Sequence, residues 1–143
     1  MSVFKTSVKV RFGDVDPAGI VYFPRIYEYL HEAFEDVWEQ HVGERYYQMI
    51  QEERRGFPLV HSEVDFKGPL RFGDEVSIVI TCTHLGRSST GLRYRLYVGD
   101  RLCVEARQVT ACVDLDAGQS MPMSAEHRER FELILEENAK NNQ

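Results

Sequence analysis

The sequence of 143 residues predicts an α+β fold, an antiparallel sheet with one long helix and a second helix near the C-terminus. Three observations carry this. Ile26, Leu30, Ala33, Phe34, Val37 and Trp38 recur at helical spacing and make one apolar stripe. From residue 57 onward the apolar period changes to two, most clearly in Val76, Ile78, Ile80 and Cys82 and in Leu92, Tyr94, Leu96 and Val98. Gly99-Asp100 between Val98 and Arg101 is a two-residue hairpin signal, so neighbouring strands run antiparallel.

The elements follow in order. Phe4, Val8 and Val10 mark a first strand, and a Gly/Asp/Pro-rich turn follows it. The long helix starts near Pro24, which suits a first helical turn, and stops at Gly43. Glu28, Glu32, Glu35, Asp36 and Glu39 fall mostly opposite its stripe. A shorter helix is expected over 45–54, ending at Gly56. Phe57 to Phe66 reads as a strand, and Lys67-Gly68-Pro69-Leu70 with Arg71-Phe72-Gly73-Asp74 supply turn residues. The last long strand carries Leu102, Val104 and Ala106 on one parity and Val109, Ala111 and Val113 on the other, which predicts a β-bulge near Arg107 or Gln108. A final helix from about Ser124 carries Phe131, Ile134 and Leu135, and Asn141-Asn142-Gln143 are expected to fray. There is no internal repeat and no linker, so residues 1–143 form a single domain. One helix cannot cover both faces of such a sheet, and self-association is a way to cover the rest.

Composition narrows the function. A formal net charge of −6 argues against a nucleic-acid partner, which calls for a basic face. No apolar run is long enough to cross a bilayer, and the N-terminus lacks the order of a secretion signal, so a cytoplasmic location without a membrane partner is expected. Cys82, Cys103 and Cys112 are too few and too scattered for a disulfide framework and read as buried thiols. No Cys/His spacing suggests a metal.

The residues that can carry chemistry sit around Asp16. Asp16 before Pro17 matches a helix N-cap, and Asp14 could serve in the same way. Alternatively Asp16 is a nucleophile or general base, beside a helix N-terminus whose unpaired N–H groups can hold an oxyanion. Pro24 has no N–H, so that donor falls to Phe23. Leu85-Gly86-Arg87-Ser88-Ser89 is either a plain hairpin turn or a phosphate site, with Arg87 providing charge and Ser88 and Ser89 hydroxyls. Arg93 and Arg95 could extend that patch. Phe23, Tyr27 and Phe57 supply aromatic surface, Tyr22 adjoins it, and His61 could line a pocket or be half-buried and satisfied. His31 at the stripe's edge reads as a packed or surface histidine, and Glu32 as solvated.

The segment Arg11-Phe12-Gly13-Asp14-Val15-Asp16-Pro17-Ala18-Gly19-Ile20-Val21-Tyr22-Phe23-Pro24 resembles the active-site segment of the 4-hydroxybenzoyl-CoA thioesterase family, a group of hotdog-fold acyl-CoA thioesterases. Val64-Asp65-Phe66-Lys67-Gly68-Pro69-Leu70-Arg71-Phe72-Gly73-Asp74-Glu75-Val76 resembles that family's strand-turn-strand segment, a weaker match that many hotdog proteins share. The resemblance implies a five-stranded antiparallel sheet wrapped around the long helix. It implies dimers, often paired into tetramers, with sites between subunits. It implies Asp16 as the catalytic carboxylate, the Phe23 N–H as the group polarising the thioester carbonyl, and Arg87, Ser88 and Ser89 at the phosphates of coenzyme A. Coenzyme A enters as part of the substrate, and no separate cofactor is implied. Two positions depart from the family: Val15 stands where Thr or Cys is usual, and His31 where an acid is common. The expected activity is hydrolysis of an acyl-CoA, aromatic in the manner of 4-hydroxybenzoyl-CoA or short-chain. The rivals are a non-catalytic hotdog protein that binds acyl-CoA or acyl carrier protein, and a dehydratase, for which His31 lies in the wrong context.

Overall fold

The computed structural model describes residues 2–140. Five strands form one antiparallel sheet: β1 (Phe4–Lys9), β3 (Leu59–Phe66), β4 (Glu75–Leu85), β5 (Ser89–Val98) and β6 (Arg101–Ala111). Their spatial order is β1-β4-β5-β6-β3, so β1 and β3 are the edges. Short strands β2 (Arg55–Gly56), β7 (Val113–Asp114) and β8 (Gln119–Ser120) make a second, three-stranded sheet that the sequence pattern does not announce. The Asn141-Asn142-Gln143 end lies outside the described residues.

The long helix α1 (Phe23–Asp36) continues as a wider π-turn over Val37–Val42, and Gly43 ends it in the left-handed region at φ 94°. Its inward residues Ile26, Leu30, Ala33, Phe34, Val37 and Trp38 are all buried. They meet the inward residues of β4 and β5, Val76, Ile78, Ile80, Leu92, Tyr94 and Leu96, also buried. This is the hotdog arrangement, a sheet curled round one helix. Trp38 fixes the helix's far end: its ring lies 4.6 Å from Phe57 and 5.5 Å from Phe131 between centroids. Such pairs add about 0.5–1.5 kcal/mol each beyond burial. Anchoring there also fixes where the helix begins.

Two expected features shift. The second helix, α2 (Tyr46–Gln48) with a π-turn over Met49–Glu53, ends at Arg54 rather than Gly56. Arg54 takes the left-handed conformation (φ 53°), its Nε donates to Asp116 Oδ1 at 3.0 Å and its carbonyl accepts from Leu115 N–H at 2.9 Å. Gly56 instead lies in β2, where a Cβ would meet Leu115 Cδ2 at 3.2 Å. The bulge in β6 is not near Arg107 or Gln108: residues 104–111 pair with β5 without interruption, and the register slips at Cys103 instead. Cys103 and Val104 are therefore both buried despite opposite parity. Further slips fall in β3 at Val60 and in β4 at Thr83.

The C-terminal helix α3 (Ala125–Glu132) is capped by Ser124, whose Oγ accepts from His127 N–H at 3.2 Å. Phe131 belongs to it, but Ile134 and Leu135 come after it. They reach the core because Cys82 N–H donates to Ile134 O, and Glu136 N–H to Cys82 O, each at 2.8 Å. A last turn, α4, spans Glu137–Lys140. All three cysteines are buried and free. No helix among the described residues is long and apolar enough to cross a membrane.

Candidate active site

Asp16 caps no helix. Helix α1 has Tyr22 as its N-cap residue, and no side chain caps it. Asp16 lies instead in a tight turn closed by Gly19 N–H to Asp16 O and Asp16 N–H to Ile20 O, both 2.9 Å. Its own Oδ1 accepts from Ala18 N–H at 2.9 Å, an i to i+2 bond that orients the carboxylate. Its Oδ2 has no protein donor among the described residues. Gly19 at φ 81° supplies the conformation the turn requires.

Asp14, two residues earlier, is held by two donors through one oxygen. Its Oδ2 accepts from Tyr29 Oη at 2.7 Å and from Arg11 N–H at 3.1 Å. Burial first, and then the bond to Asp14, push the Tyr29 hydroxyl above its ordinary range, so it remains a donor. Glu32 is raised above the usual carboxylate range, by desolvation first and then by the negative charges of Asp14 and Asp36. Of these carboxylates, Asp16 alone borders the depression flanked by Phe12 and Phe72.

The turn is tied to the helix start. Val15 and Val21 form a bridge, and Tyr22 N–H donates to Asp14 O at 2.9 Å. Phe23 is the first helical residue, so its N–H has no acceptor inside the helix. Asp16 and the Phe23 N–H therefore belong to one rigid unit of eight residues, residues 16–23.

A short repeat, contrary to expectation, supports this unit. Arg-Phe-Gly-Asp occurs at 11–14 and again at 71–74. Both copies fold alike: Asp14 N–H donates to Arg11 O and Asp74 N–H to Arg71 O, each at 3.0 Å, while Asp14 and Asp74 carboxylates accept from Arg11 and Arg71 N–H. The turns sit side by side, linked by the Ile20–Arg71 bridge, with Phe12 and Phe72 edge to face at 5.8 Å. Both rings are exposed and flank a depression of about 510 Å³ that includes Asp16 and Pro17. A second depression of about 370 Å³ is lined by Ile20, Phe23, Phe66 and Pro69.

The most enclosed of the three apolar spaces lies away from Asp16. It measures about 290 Å³, between α1 and β3, and its walls include Tyr27, His31, Phe34, Phe57, Leu59 and Gln108. His31 stacks on Phe34 and reaches Glu35 at 3.5 Å. Tyr22 is exposed against the Phe23 ring at 5.6 Å. His61 is exposed on β3, with Nε2 2.8 Å from Glu63 Oε1, and lines none of these spaces.

Arg87, Ser88 and Ser89 stand far from Asp16 within one chain. The Asp16 turn adjoins Asp74 at the start of β4, and the Arg87 loop follows its end at Leu85. Eleven strand residues separate them, roughly 35 Å of extended chain. Arg93 and Arg95 do not extend the loop's patch. Arg93 Nε pairs with Glu136 Oε2 and Arg95 Nε with Glu105 Oε2, each at 2.8 Å. Two residues near the loop were not anticipated: His84, whose Nε2 lies 2.9 Å from Ser89 Oγ, and Arg128, whose Nη2 donates to Gly86 O. His84 lay one strand position from a quoted loop; nothing in the sequence links Arg128 to Gly86, 42 residues away.

Residues 10–131 match the thioesterase-like superfamily. The chain belongs to this family. Among relatives, a 1,4-dihydroxy-2-naphthoyl-CoA hydrolase of Synechococcus elongatus is 32% identical over 80% of this chain and 84% of its own. A solved gentisyl-coenzyme A thioesterase is 27% identical with a TM-score of 0.79, covering 90% of this chain and 99% of that one. A thioesterase superfamily structure from Jannaschia sp. CCS1 is 25% identical with a TM-score of 0.88 and covers 94% of each chain. This thioesterase is a thioester hydrolase with the hotdog fold.

Proposed function

We propose that the enzyme hydrolyses a hydroxylated aromatic acyl-CoA to the free acid and coenzyme A, with Asp16 as the reacting carboxylate. The observation that carries this is the difference between two neighbouring acids. Asp14 is tied down by Tyr29 and Arg11 and borders none of the depressions, whereas Asp16 is oriented through one oxygen and borders the depression flanked by Phe12 and Phe72, in a turn tied to the start of α1. The Phe23 N–H polarises the thioester carbonyl and holds the negative charge that develops on its oxygen. Oδ2 attacks the carbonyl carbon, or takes a proton from a water that does so. In both forms the C–S bond breaks and the sulfur leaves as a thiolate that takes up a proton. In the first form water then cleaves the mixed anhydride.

The relatives supply the acyl class. 1,4-Dihydroxy-2-naphthoyl-CoA and gentisyl-CoA, from which two of them take their names, both carry hydroxylated rings. The aromatic walls at Tyr27, Phe34 and Phe57, with polar His31 and Gln108, suit such a ring. This space lies at the Leu59 end of β3, which the pairing of two chains along β3 sets beside the Asp16 end of the other copy.

The working unit is a pair of chains joined along β3. Strand β3 is an edge, and Leu59, Val60 and Phe66 on it are at least half exposed. Its Phe66 end lies by Phe23, with ring centroids 6.4 Å apart. Its other end lies by the Arg87 loop, since Pro58 O accepts from Ala111 N–H and Ser88 O from Cys112 N–H. Antiparallel pairing of two β3 edges sets the Asp16 end of one copy beside the Arg87 end of the other. The 35 Å separation within a chain then ceases to matter.

Two measurements test this reading. Thiol release across a panel of acyl-CoAs should favour hydroxylated aryl esters over aliphatic ones; equal or better turnover of short aliphatic esters would overturn the aryl assignment. Sedimentation should give a dimer or a multiple of one, and a monomer with full activity would overturn the shared site.

A further inference from the structure

We infer that His84 is a positioning residue for the phosphates of coenzyme A: it donates from Nε2 to Ser89 Oγ and so turns the Ser89 hydroxyl proton outward. This rests on the acyl-CoA reading above.

The loop has unusual hydrogen-bond arithmetic. All four carbonyls of residues 86–89 are occupied from within the chain. Gly86 O accepts from Arg128 Nη2, Arg87 O from Met123 N–H at 3.0 Å, Ser88 O from Cys112 N–H at 2.7 Å, and Ser89 O from Gly86 N–H at 2.9 Å. Backbone acceptors that would repel an anion are thus consumed. What the loop has left to offer is donors: the Arg87 guanidinium and the Ser88 and Ser89 hydroxyls. Ser89 is the exception to be explained, because His84 Nε2 lies 2.9 Å from its oxygen.

A serine hydroxyl has one proton and two lone pairs. A phosphate oxygen only accepts. If Nε2 accepted from Ser89, the proton would be spent and a lone pair would face the anion. If Nε2 carries hydrogen, it fills a lone pair and frees the proton. Gly86 makes this closure possible: a Cβ there would lie 2.5 Å from Ser89 Oγ and 3.0 Å from His84 Nε2. The imidazole, the hydroxyl and the loop backbone fit together only over a glycine.

The test uses His84→Ala, His84→Gln, Ser89→Ala and the double variant His84→Ala/Ser89→Ala, with Arg87→Ala as the control for the loop itself. The probe is adenosine 3′,5′-bisphosphate, followed by calorimetry, together with KM for a CoA ester and for an N-acetylcysteamine ester. His84→Ala should weaken the bisphosphate and raise KM for the CoA ester about three- to tenfold, the scale of one net hydrogen bond. The N-acetylcysteamine ester and kcat should not change. Gln carries an amide donor and should restore binding. The double variant should bind no more weakly than Ser89→Ala alone, since His84 acts through that hydroxyl. Unchanged binding in His84→Ala, additive losses in the double variant, or failure of Gln to restore binding would each overturn the role of His84. If Arg87→Ala weakens the bisphosphate and His84→Ala does not, the loop reading stands and His84 alone falls; if neither does, the phosphate reading itself falls.

Discussion

The Tyr29 hydroxyl donates to Asp14 Oδ2 at 2.7 Å and ties the second turn of α1 back to the chain just before Asp16. The bond spans 15 residues and holds the Asp16 turn against the helix that begins at Phe23. It also gives Asp14 a structural contact that Asp16 does not share. Tyr29→Phe should lower stability by about 1 kcal/mol, the usual net value of such a bond. Turnover should fall by less than about tenfold on the same scale, because Asp16 itself is untouched. Urea denaturation and steady-state kinetics check the two numbers.

Arg87→Ala should raise KM for CoA esters while leaving an N-acetylcysteamine ester of the same acid nearly unaffected. Its guanidinium makes no ion pair among the described residues, so the substitution removes charge without unsettling a partner. Charge-assisted bonds are worth about 1.5–3 kcal/mol, which corresponds to roughly ten- to a hundredfold in KM. Equal effects on the two esters would remove Arg87 from the phosphate site.

Glu136 joins the C-terminal segment to the outer face of the sheet. Desolvation alone would raise its carboxyl, but the bonds from Arg93 at 2.8 Å and Thr81 at 2.7 Å prevail and hold it below its ordinary value. A lowered folded-state value means that the contribution to stability is complete above the unfolded carboxylate's range. It is lost as pH falls through the folded value. Glu136→Gln should therefore cost about 1–3 kcal/mol at pH 7, and the gap from wild type should narrow in acid. A gap that is constant from pH 7 down to pH 3 would contradict this origin.

The cysteines should be silent in a thiol assay. Cys82, Cys103 and Cys112 are each 0% exposed, and burial pushes the Cys82 thiol up to about 12. A disulfide dye should therefore report released coenzyme A from the native enzyme with no protein background. In denaturant it should count three thiols per chain. Prompt labelling of the native protein would contradict the packing described for β4.

The parts of the fold set by local periodicity were legible in the sequence. The stripe from Ile26 to Trp38, the stop at Gly43 and the Gly99-Asp100 hairpin depend on neighbours in the chain, and each appears where expected. What depends on distant contacts was misplaced. The slip at Cys103 answers to pairing with β5. The helix ends at Arg54, where the chain enters β2 and Arg54 O accepts from Leu115 N–H, a partner far along the chain. Ile134 and Leu135 leave their helix because Cys82 offers backbone partners. The candidate site divides in the same way. The run from Asp16 to Phe23 is continuous, so the resemblance could point to it. The closure of His84 on Ser89 and the repeated Arg-Phe-Gly-Asp turns acquire meaning only once the chain is folded. That Asp16 caps nothing could not be read from an Asp-Pro pair, which suits a helix start and a tight turn equally.

The central claim is that the open oxygen of Asp16 does the chemistry, and Asp16→Asn tests it most directly. Asn keeps an acceptor for Ala18 N–H, so the turn should hold and the melting temperature should stay close to wild type. Thiol release from a hydroxylated aryl-CoA should fall by about a hundredfold or more, as expected when a nucleophile or general base is lost. A correctly folded Asp16→Asn enzyme that turns over the same ester at the wild-type rate would contradict the account.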